Sequence, residues 1–142
     1  MRAPASVLRL LDANANRALE GLRVAEEIVR FHLEFPKSFR QLRALRHAGA
    51  EALRHLPVTS AQLARSRASS RDIGRRAPSS RVESLERLVL INFQRAKESL
   101  RTLEECSRLL VPGQTAVFQR LRFRLYDAER DLLIRLAALR HH

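Results

Sequence analysis

The sequence predicts an all-α protein, a helical bundle of four main helices in which the third helix repeats the first. Good helix formers, chiefly Ala, Leu, Arg and Glu, dominate over β-branched and aromatic residues. Apolar residues recur every three or four positions, and the chain contains only four Gly and five Pro among its 142 residues. An apolar content of 45% allows a packed core, so we expect a single helical domain over residues 1–142.

The first two helices are bounded by prolines. Periodic apolar residues predict helix one over residues 6–34, which stops before Pro36. Helix two is predicted over residues 37–56, where Pro57 ends it because proline lacks the backbone N–H that a helix interior needs.

The second half of the chain follows a polar stretch. A short helical piece over 60–65 leads into a polar loop over residues 66–80, and long loops in compact domains are often functional. Helix three is predicted over 81–110, up to the turn signal Pro112-Gly113, and helix four over 115–139. Four helices with mostly short connections are typical of a bundle.

The formal charge of the chain is +12, almost all of it from arginine, because Lys37 and Lys97 are the only lysines. Such a charge attracts polyanions, which include nucleic acid, acidic lipid and phosphorylated small molecules. A genome that prefers arginine codons would give the same excess without a function. Since arginine suits bidentate phosphate contacts better than lysine, the positions of the arginines matter more than their total.

Cysteine usage and targeting signals favour a cytoplasmic protein. Cys106 is the only cysteine, which excludes an internal disulfide and a cysteine-based zinc site and favours a reducing compartment. No apolar run approaches the ~20 residues that span a bilayer, and residues 1–11 lack the uncharged core of a signal peptide. We interpret His141 and His142 as remnants of a tag.

Residues 12–31 and 90–109 form two copies of one motif, each position lying 78 residues from its counterpart. A duplicated structural helix is expected to keep its core and let its surface diverge, although low helical complexity can also imitate a repeat. Here many apolar or small positions differ, as in Val24 against Thr102, whereas most charged positions agree. The identical pairs are Asn14 and Asn92, Arg17 and Arg95, Ala18 and Ala96, Glu20 and Glu98, Leu22 and Leu100, Arg23 and Arg101, Glu26 and Glu104, and Glu27 and Glu105.

At about 3.6 residues per turn, the motif separates into two faces. Leu22 and Leu100 belong to apolar stripes, so we expect both in the core. Asn14 and Asn92 point into these stripes, and the arginine three positions later lies at the edge. The second face carries Glu20, Arg23 and Glu27 in one copy and Glu98, Arg101 and Glu105 in the other. The shared polar set predicts a pseudo-two-fold site between neighbouring helices.

Both faces also have a structural interpretation. The Glu/Arg face fits a solvated helix with ion pairs three or four residues apart, each worth a few tenths of a kcal/mol. Asn14 and Asn92 fit an internal hydrogen-bond network, because a buried amide must find partners. The sequence leaves both interpretations open.

The residue types of the motif match phosphate chemistry. Arginine offers a fork of donors that fits phosphate oxygens, and carboxylates hold Mg²⁺ together with substrate phosphates. Phosphoryl transfer needs little beyond positioning and charge neutralisation, so the set fits a kinase. Familiar phosphate motifs are absent, since the four glycines are too far apart for a Gly-rich loop.

Four segments resemble the small hydroxymethylpyrimidine-phosphate kinases of thiamine biosynthesis, which occur alone or fused in front of thiamine-phosphate synthase. In chain order they are DANANRALEGLRVAEEIVRF at 12–31, RDIG at 71–74, NFQRAKESLRTLEE at 92–105, and FQRLR at 118–122 followed by YDAE at 126–129. The similarity covers nearly the whole chain, and its first segment is the most specific. The loop departs from the expected Gly-Asp-Val-Gly-like turn, because Arg71 replaces a flexible residue.

The resemblance implies ATP-dependent phosphorylation of hydroxymethylpyrimidine phosphate to the diphosphate, with ATP and Mg²⁺ required. It also implies a demand for the monophosphate, so that phosphate-binding arginines contribute to specificity. Thiamine-phosphate synthase and a second copy of the chain are the protein partners left open, and we expect no membrane or nucleic-acid partner.

The residues expected to form the site divide into three groups. The catalytic candidates are Glu20, Glu98 and Asp72, and the metal candidates are Glu27 and Glu105. The candidates for substrate and phosphate binding are Asn14, Arg17, Arg23, Asn92, Arg95, Arg101, Arg67 and Gly74.

Two other functions remain open from the sequence. One is a non-catalytic helical interaction or regulatory module of the thiamine pathway. The other is a basic nucleic-acid-binding protein, which is weakened by an aromatic content of only 5% and by the lack of a stacking pattern.

Overall fold

The computed structural model describes residues 3–140, which are predominantly helical and include no β-strand, as the sequence predicts. His141 and His142 lie outside the described residues. The described α-helices are α1 (Ala5–Ile28), α2 (Pro36–Arg54), α3 (Ser60–Ser66), α4 (Leu85–Leu110) and α5 (Thr115–Arg140). Four of them are long, and α3 is the short helical piece predicted before the polar loop.

The end of α1 shows how the chain turns into α2. A single π-helical turn, Val29–Leu33, continues α1, and Glu34 then adopts a left-handed conformation with φ of 56°. Phe35 precedes a proline, which disfavours helical geometry and keeps this residue extended. Pro36 is the first residue of α2, where its missing N–H costs no helical hydrogen bond.

Helix α4 begins later than the sequence predicts. We expected helix three from Arg81, but α4 starts at Leu85 because the Ser84 hydroxyl accepts a hydrogen bond from the Arg87 backbone N–H at 3.0 Å. The predicted start was therefore wrong by about a turn, and the polar loop extends to Ser84 apart from the short 3₁₀ turn Ser69–Arg71.

The four long helices form an antiparallel bundle. The end of α1 meets the start of α4, where His32 Nε2 lies 2.9 Å from Glu86 Oε1. Near the start of α2, Gln41 donates to Asp131 of α5 at 2.9 Å. Because α1 pairs with α2, α4 pairs with α5, and the two pairs also contact each other, the bundle consists of two helical hairpins.

Leu22 and Leu100 both lie in the core, as the duplication predicts. The core also contains Cys106, whose thiol has a raised pKa because burial disfavours the thiolate. Large side chains with almost no exposure come from all four long helices, including Leu42, Phe93 and Phe118. Among residues 3–140, no helix has the length and apolar character needed to cross a membrane.

Candidate functional site

The duplicated helices α1 and α4 approach each other closely at Gly21. A Cβ atom at this position would lie 3.2 Å from the Asn92 carbonyl oxygen and 3.5 Å from the Ala96 Cβ. Ala18 and Ala96, which are counterparts in the duplication, are both buried here. Small residues therefore bring the two backbones together and leave a groove where the outer faces of α1 and α4 meet.

This central groove has a volume of about 610 Å³ and is lined by five residues of α1 and their five counterparts in α4. The lining pairs are Asn14 and Asn92, Arg17 and Arg95, Glu20 and Glu98, Gly21 and Ser99, and Val24 and Thr102. Each pair is separated by 78 positions. The prediction that the two motif copies pack against each other is confirmed, and the groove collects the Asn, Arg and first Glu of each copy.

Asn14 and Asn92 occupy equivalent environments in the central groove. Each is 7% exposed, and each amide nitrogen donates to the backbone carbonyl four residues earlier, Leu10 or Leu88, at 2.9 Å. One N–H group of each side chain is thus satisfied within its own helix. The amide oxygen and the second N–H remain for a ligand in the groove that both side chains line.

Charged side chains of both signs lie exposed in the same groove. They are Arg17 and Arg95, together with Glu20 and Glu98. Within residues 3–140, none of these four forms an ion pair with another protein side chain. Two free guanidinium groups and two free carboxylates are therefore available to an anionic ligand and an accompanying cation.

The remaining charges of the motif lie outside the central groove. Arg23 Nε is 3.1 Å from Glu27 Oε1, and Arg101 Nε is 3.3 Å from Glu105 Oε1. These pairs match the solvated-helix interpretation of the sequence. None of Arg23, Arg101, Glu27 and Glu105 lines the central groove, although Arg101 lines a neighbouring groove together with Glu98. Their proposed phosphate and metal roles stay predictions.

The polar loop is attached to α1 at one point. Arg67 donates from Nε and Nη2 to the two carboxylate oxygens of Asp12 at 2.7 and 2.9 Å, and this contact raises the pKa of Arg67. Asp72 accepts a hydrogen bond from the Gly74 backbone N–H at 2.9 Å, which forms a local turn. Neither Asp72 nor Gly74 lines the central groove, and Arg67 is bound to a protein carboxylate. Their expected site roles stay predictions.

Comparison with known proteins identifies the family of this chain. The sequence profile of the ThiD2 family matches residues 9–131. The chain belongs to the ThiD2 family. No solved structure matches this ThiD2 chain.

The chain is also similar to segments of curated proteins named thiamine-phosphate synthase. It is 36% identical over 134 residues to the protein of Synechocystis sp., a match that covers 92% of this chain and 37% of that protein. The match to the Gloeobacter violaceus protein is 37% identical over 140 residues and covers 94% and 40%. For Rhodopirellula baltica it is 34% over 137 residues, covering 94% and 36%. The chain thus spans well under half the length of these relatives.

One further identical pair of the duplication, Glu26 and Glu104, has partners that the sequence did not predict. Glu26 and Glu104 are only 2% and 5% exposed, and each receives two hydrogen bonds from an arginine of the next long helix. Arg46 donates to Glu26 at 2.9 and 3.2 Å, and Arg122 donates to Glu104 at 2.9 and 3.3 Å. The bond to Glu104 also raises the pKa of Arg122.

These buried pairs extend the pseudo-two-fold relation from the single helices to whole hairpins. Arg122 follows Arg46 by 76 positions rather than 78, so a shift of two residues between the hairpins hides the arginine match in the sequence. The sequence does contain a signal for the burial of Glu26. This residue follows the core residue Leu22 by four positions and therefore lies on the same face of the helix. A buried carboxylate there requires a cationic partner.

Proposed function

We propose that this chain transfers a phosphoryl group from ATP to hydroxymethylpyrimidine phosphate and so forms the diphosphate for thiamine biosynthesis. The observation that carries the proposal is the central groove, where two copies of an Asn/Arg/Glu set face one another without protein ion pairs. Membership of the ThiD2 family and similarity to proteins named thiamine-phosphate synthase support the pathway.

The arginines of the central groove would bind phosphate. Arg17 and Arg95 each present a planar fork of donors that matches two phosphate oxygens, and neither must first release a carboxylate. Two such groups suit a reaction that brings the phosphates of ATP next to the phosphate of the pyrimidine substrate. Asn14 and Asn92 would orient the bound groups through the amide atoms that their own helices leave free.

The carboxylates of the central groove fit a magnesium ion shared with substrate. Within residues 3–140, no three His, Cys, Asp or Glu side chains come together to enclose a metal. Glu20 and Glu98 both line the groove, and Mg²⁺ commonly binds through one or two carboxylates together with phosphate oxygens and water. When bound, the ion would neutralise charge on the phosphates.

The acceptor in this reaction is itself a phosphate. An oxygen of the monophosphate attacks the γ-phosphorus of ATP, the bond from that phosphorus to the β–γ bridging oxygen breaks, and ADP leaves with the electron pair. Since the second pKa of a phosphate monoester is about 6, its oxygens are mostly deprotonated at neutral pH and need no strong base. Glu20 and Glu98 are therefore better assigned to cation binding and positioning than to proton removal.

The polar loop is the candidate for excluding water. Its base is attached through Arg67 to Asp12, two residues before Asn14, and residues 71–81 are exposed. A loop that closes over phosphates suppresses hydrolysis of ATP. If Asp72 and Gly74 act in this way, limited proteolysis at Arg71 should slow when ATP and the pyrimidine monophosphate are added together.

The direct test is product formation. With ATP and Mg²⁺, phosphorus NMR should show conversion of the pyrimidine monophosphate to its diphosphate and almost no reaction of the unphosphorylated alcohol. An arginine-lined site leaves charges unpaired when the substrate phosphate is missing, which lowers kcat/KM by orders of magnitude. Glu20→Gln and Glu98→Gln should raise the Mg²⁺ concentration needed for half-maximal rate.

Two results would replace the proposal. Absence of diphosphate together with tight binding to a thiamine-pathway enzyme would favour the interaction module. Binding to DNA or RNA with a steep dependence of log affinity on log salt would favour the nucleic-acid function.

A further inference from the structure

The two copies of the motif have different surroundings on the side away from the central groove. In the first copy, α3 packs against α1, and Arg67 holds the buried carboxylate of Asp12. The counterpart of Asp12 in α4 is Leu90, and no short helix of the described chain packs there. The two copies therefore differ: α3 covers this part of α1, whereas the equivalent part of α4 is an open surface.

That open surface forms a side groove of about 540 Å³ between α4 and α5. Its lining residues are Arg87, Leu90, Ile91, Gln94, Arg95, Glu98, Glu129 and Leu133. Arg95 and Glu98 also line the central groove, so the two grooves meet at these residues. Their counterparts, Arg17 and Glu20, line the central groove but not the side groove.

The side groove combines an apolar surface with a few polar groups, which is the usual composition of a small-molecule site of this volume. Leu90, Ile91 and Leu133 offer flat contact to a ring, and Leu133 is 45% exposed without a covering element. Gln94 offers amide donors and an amide acceptor for ring substituents. Glu129 is held by Lys97 at 2.8 Å, which fixes one end of the groove.

Two arginines of the side groove are placed to bind the phosphate of a ligand whose ring lies on the apolar surface. Arg95 stands at the junction with the central groove, and Arg87 lines the same side groove. Neither forms an ion pair within residues 3–140. A planar ring on the two leucines can therefore have its phosphate beside guanidinium groups that are not paired with a protein carboxylate.

We propose that the side groove binds the phosphoryl acceptor, a small planar heteroaromatic phosphate monoester, and directs its phosphate toward Arg95. This inference rests on the proposed function and adds an assignment: the second motif copy serves the acceptor, and the nucleotide phosphates lie in the central groove. The acceptor oxygen then meets the γ-phosphorus at the junction lined by Arg95 and Glu98.

The duplication supplies matched variants to test this assignment. Arg87→Ala and Gln94→Ala alter the side groove, whereas Arg9→Ala and Asn16→Ala alter the counterparts 78 positions earlier, which line neither groove. All four residues are exposed, so each variant should fold. We expect Arg87→Ala and Gln94→Ala to raise KM for the pyrimidine monophosphate by about tenfold with little change in KM for ATP, because each removes contacts to the acceptor alone. The two control variants should retain wild-type values.

Calorimetric titration of the wild-type protein and the variants with the pyrimidine monophosphate, in the absence of ATP, separates this inference from the proposed function. Weaker binding by Arg87→Ala supports the side groove even if no diphosphate forms. Unchanged binding and unchanged KM in Arg87→Ala and Gln94→Ala, with an active wild-type enzyme, would overturn the side groove and leave the kinase function intact. Larger losses in Arg9→Ala and Asn16→Ala, or a selective rise in KM for ATP, would overturn it as well.

Discussion

The first hairpin, α1 with α2, and the second, α4 with α5, share their interior but differ on their outer surfaces. Both contain a buried glutamate bound by two hydrogen bonds from an arginine, and both contribute the same Asn, Arg and Glu types to the central groove. On the outside, α3 covers part of α1, whereas the matching part of α4 borders an open groove.

This difference separates the residues needed for docking the two hairpins from the residues free to bind different ligands. The interior and the central groove fix how the hairpins dock, so their residues are constrained in both copies. The outer surfaces need not agree, and a protein that binds two different substrates, as we propose for this chain, needs them to differ. The following predictions test this division, from the largest expected effect to the smallest.

The buried ion pairs should be essential for stability in both hairpins. Glu104→Ala leaves Arg122 buried without its partner, and we expect it to lower the free energy of unfolding by about 3–5 kcal/mol. Glu26→Ala should cost less, because Arg46 is more exposed and can reach water. Urea denaturation followed by circular dichroism measures both. Replacing Glu104 and Arg122 together with methionine serves as the control and should recover most of the loss. Equal stability of Glu104→Ala and the parent would contradict the paired role.

The arginines of the central groove should matter for catalysis in both hairpins. Arg17→Ala and Arg95→Ala each remove charged hydrogen bonds to phosphate, and we expect kcat/KM to fall by about ten- to a hundredfold. Helix content by circular dichroism should stay close to that of the parent. Arg23→Ala and Arg101→Ala, on the same helices but in surface ion pairs, should have smaller effects. Losses of equal size in all four would show that the groove does not define the site.

Two glycines should respond oppositely to alanine. A Cβ at Gly49 would meet only the flexible end of Leu19 at 3.5 Å, so Gly49→Ala should stabilise the protein by about 0.5–1 kcal/mol through helix propensity. At Gly21 the new Cβ would lie 3.2 Å from a backbone oxygen of α4, and strain should cancel that gain. Thermal unfolding of both variants makes the comparison. A clear increase in Tm for Gly21→Ala would mean that α1 and α4 can separate freely.

The contact between α2 and α5 should add a small contribution to the stability of the fold that is lost in acid. The pKa of Asp131 is lowered, first by a hydrogen bond from Gln41 and then by a hydrogen bond from Lys37. Because the pKa is lower in the folded state, ionised Asp131 stabilises the fold at neutral pH, and this contribution disappears as the pH falls below about 4 and through the folded-state pKa. Asp131→Asn should therefore reduce the loss of stability between pH 6 and pH 3, by an amount visible in urea midpoints. If the pH dependence of stability is unchanged in Asp131→Asn, ionised Asp131 does not stabilise the fold.

Much of the fold follows directly from the sequence, because helix formation depends on local patterns. Periodic apolar residues located the four long helices, and prolines located the end of the first helix. The duplication predicted that α1 and α4 are neighbours with Leu22 and Leu100 in the core. The start of α4 was missed because a single serine hydroxyl decides it, and several serines precede that helix.

Only the tertiary structure decided which motif residues share a site. The sequence offers both Arg17 and Arg23 as phosphate-binding candidates, since both are arginines with identical counterparts. Rotation around the helix sends one into the central groove and the other to an ion pair on the surface. That outcome depends on which face of α1 meets α4, and the close approach at Gly21 sets it.

The sequence by itself determined the helices, their duplication and the residue types of the candidate site, because these follow from spacing along one chain. It could not assign the buried roles of Glu26 and Glu104, since their partners lie on other helices and shift by two positions between the hairpins. Nor could it show that α3 covers one motif copy and leaves the other open. Both facts depend on contacts between segments distant in sequence, which form only when the helices pack.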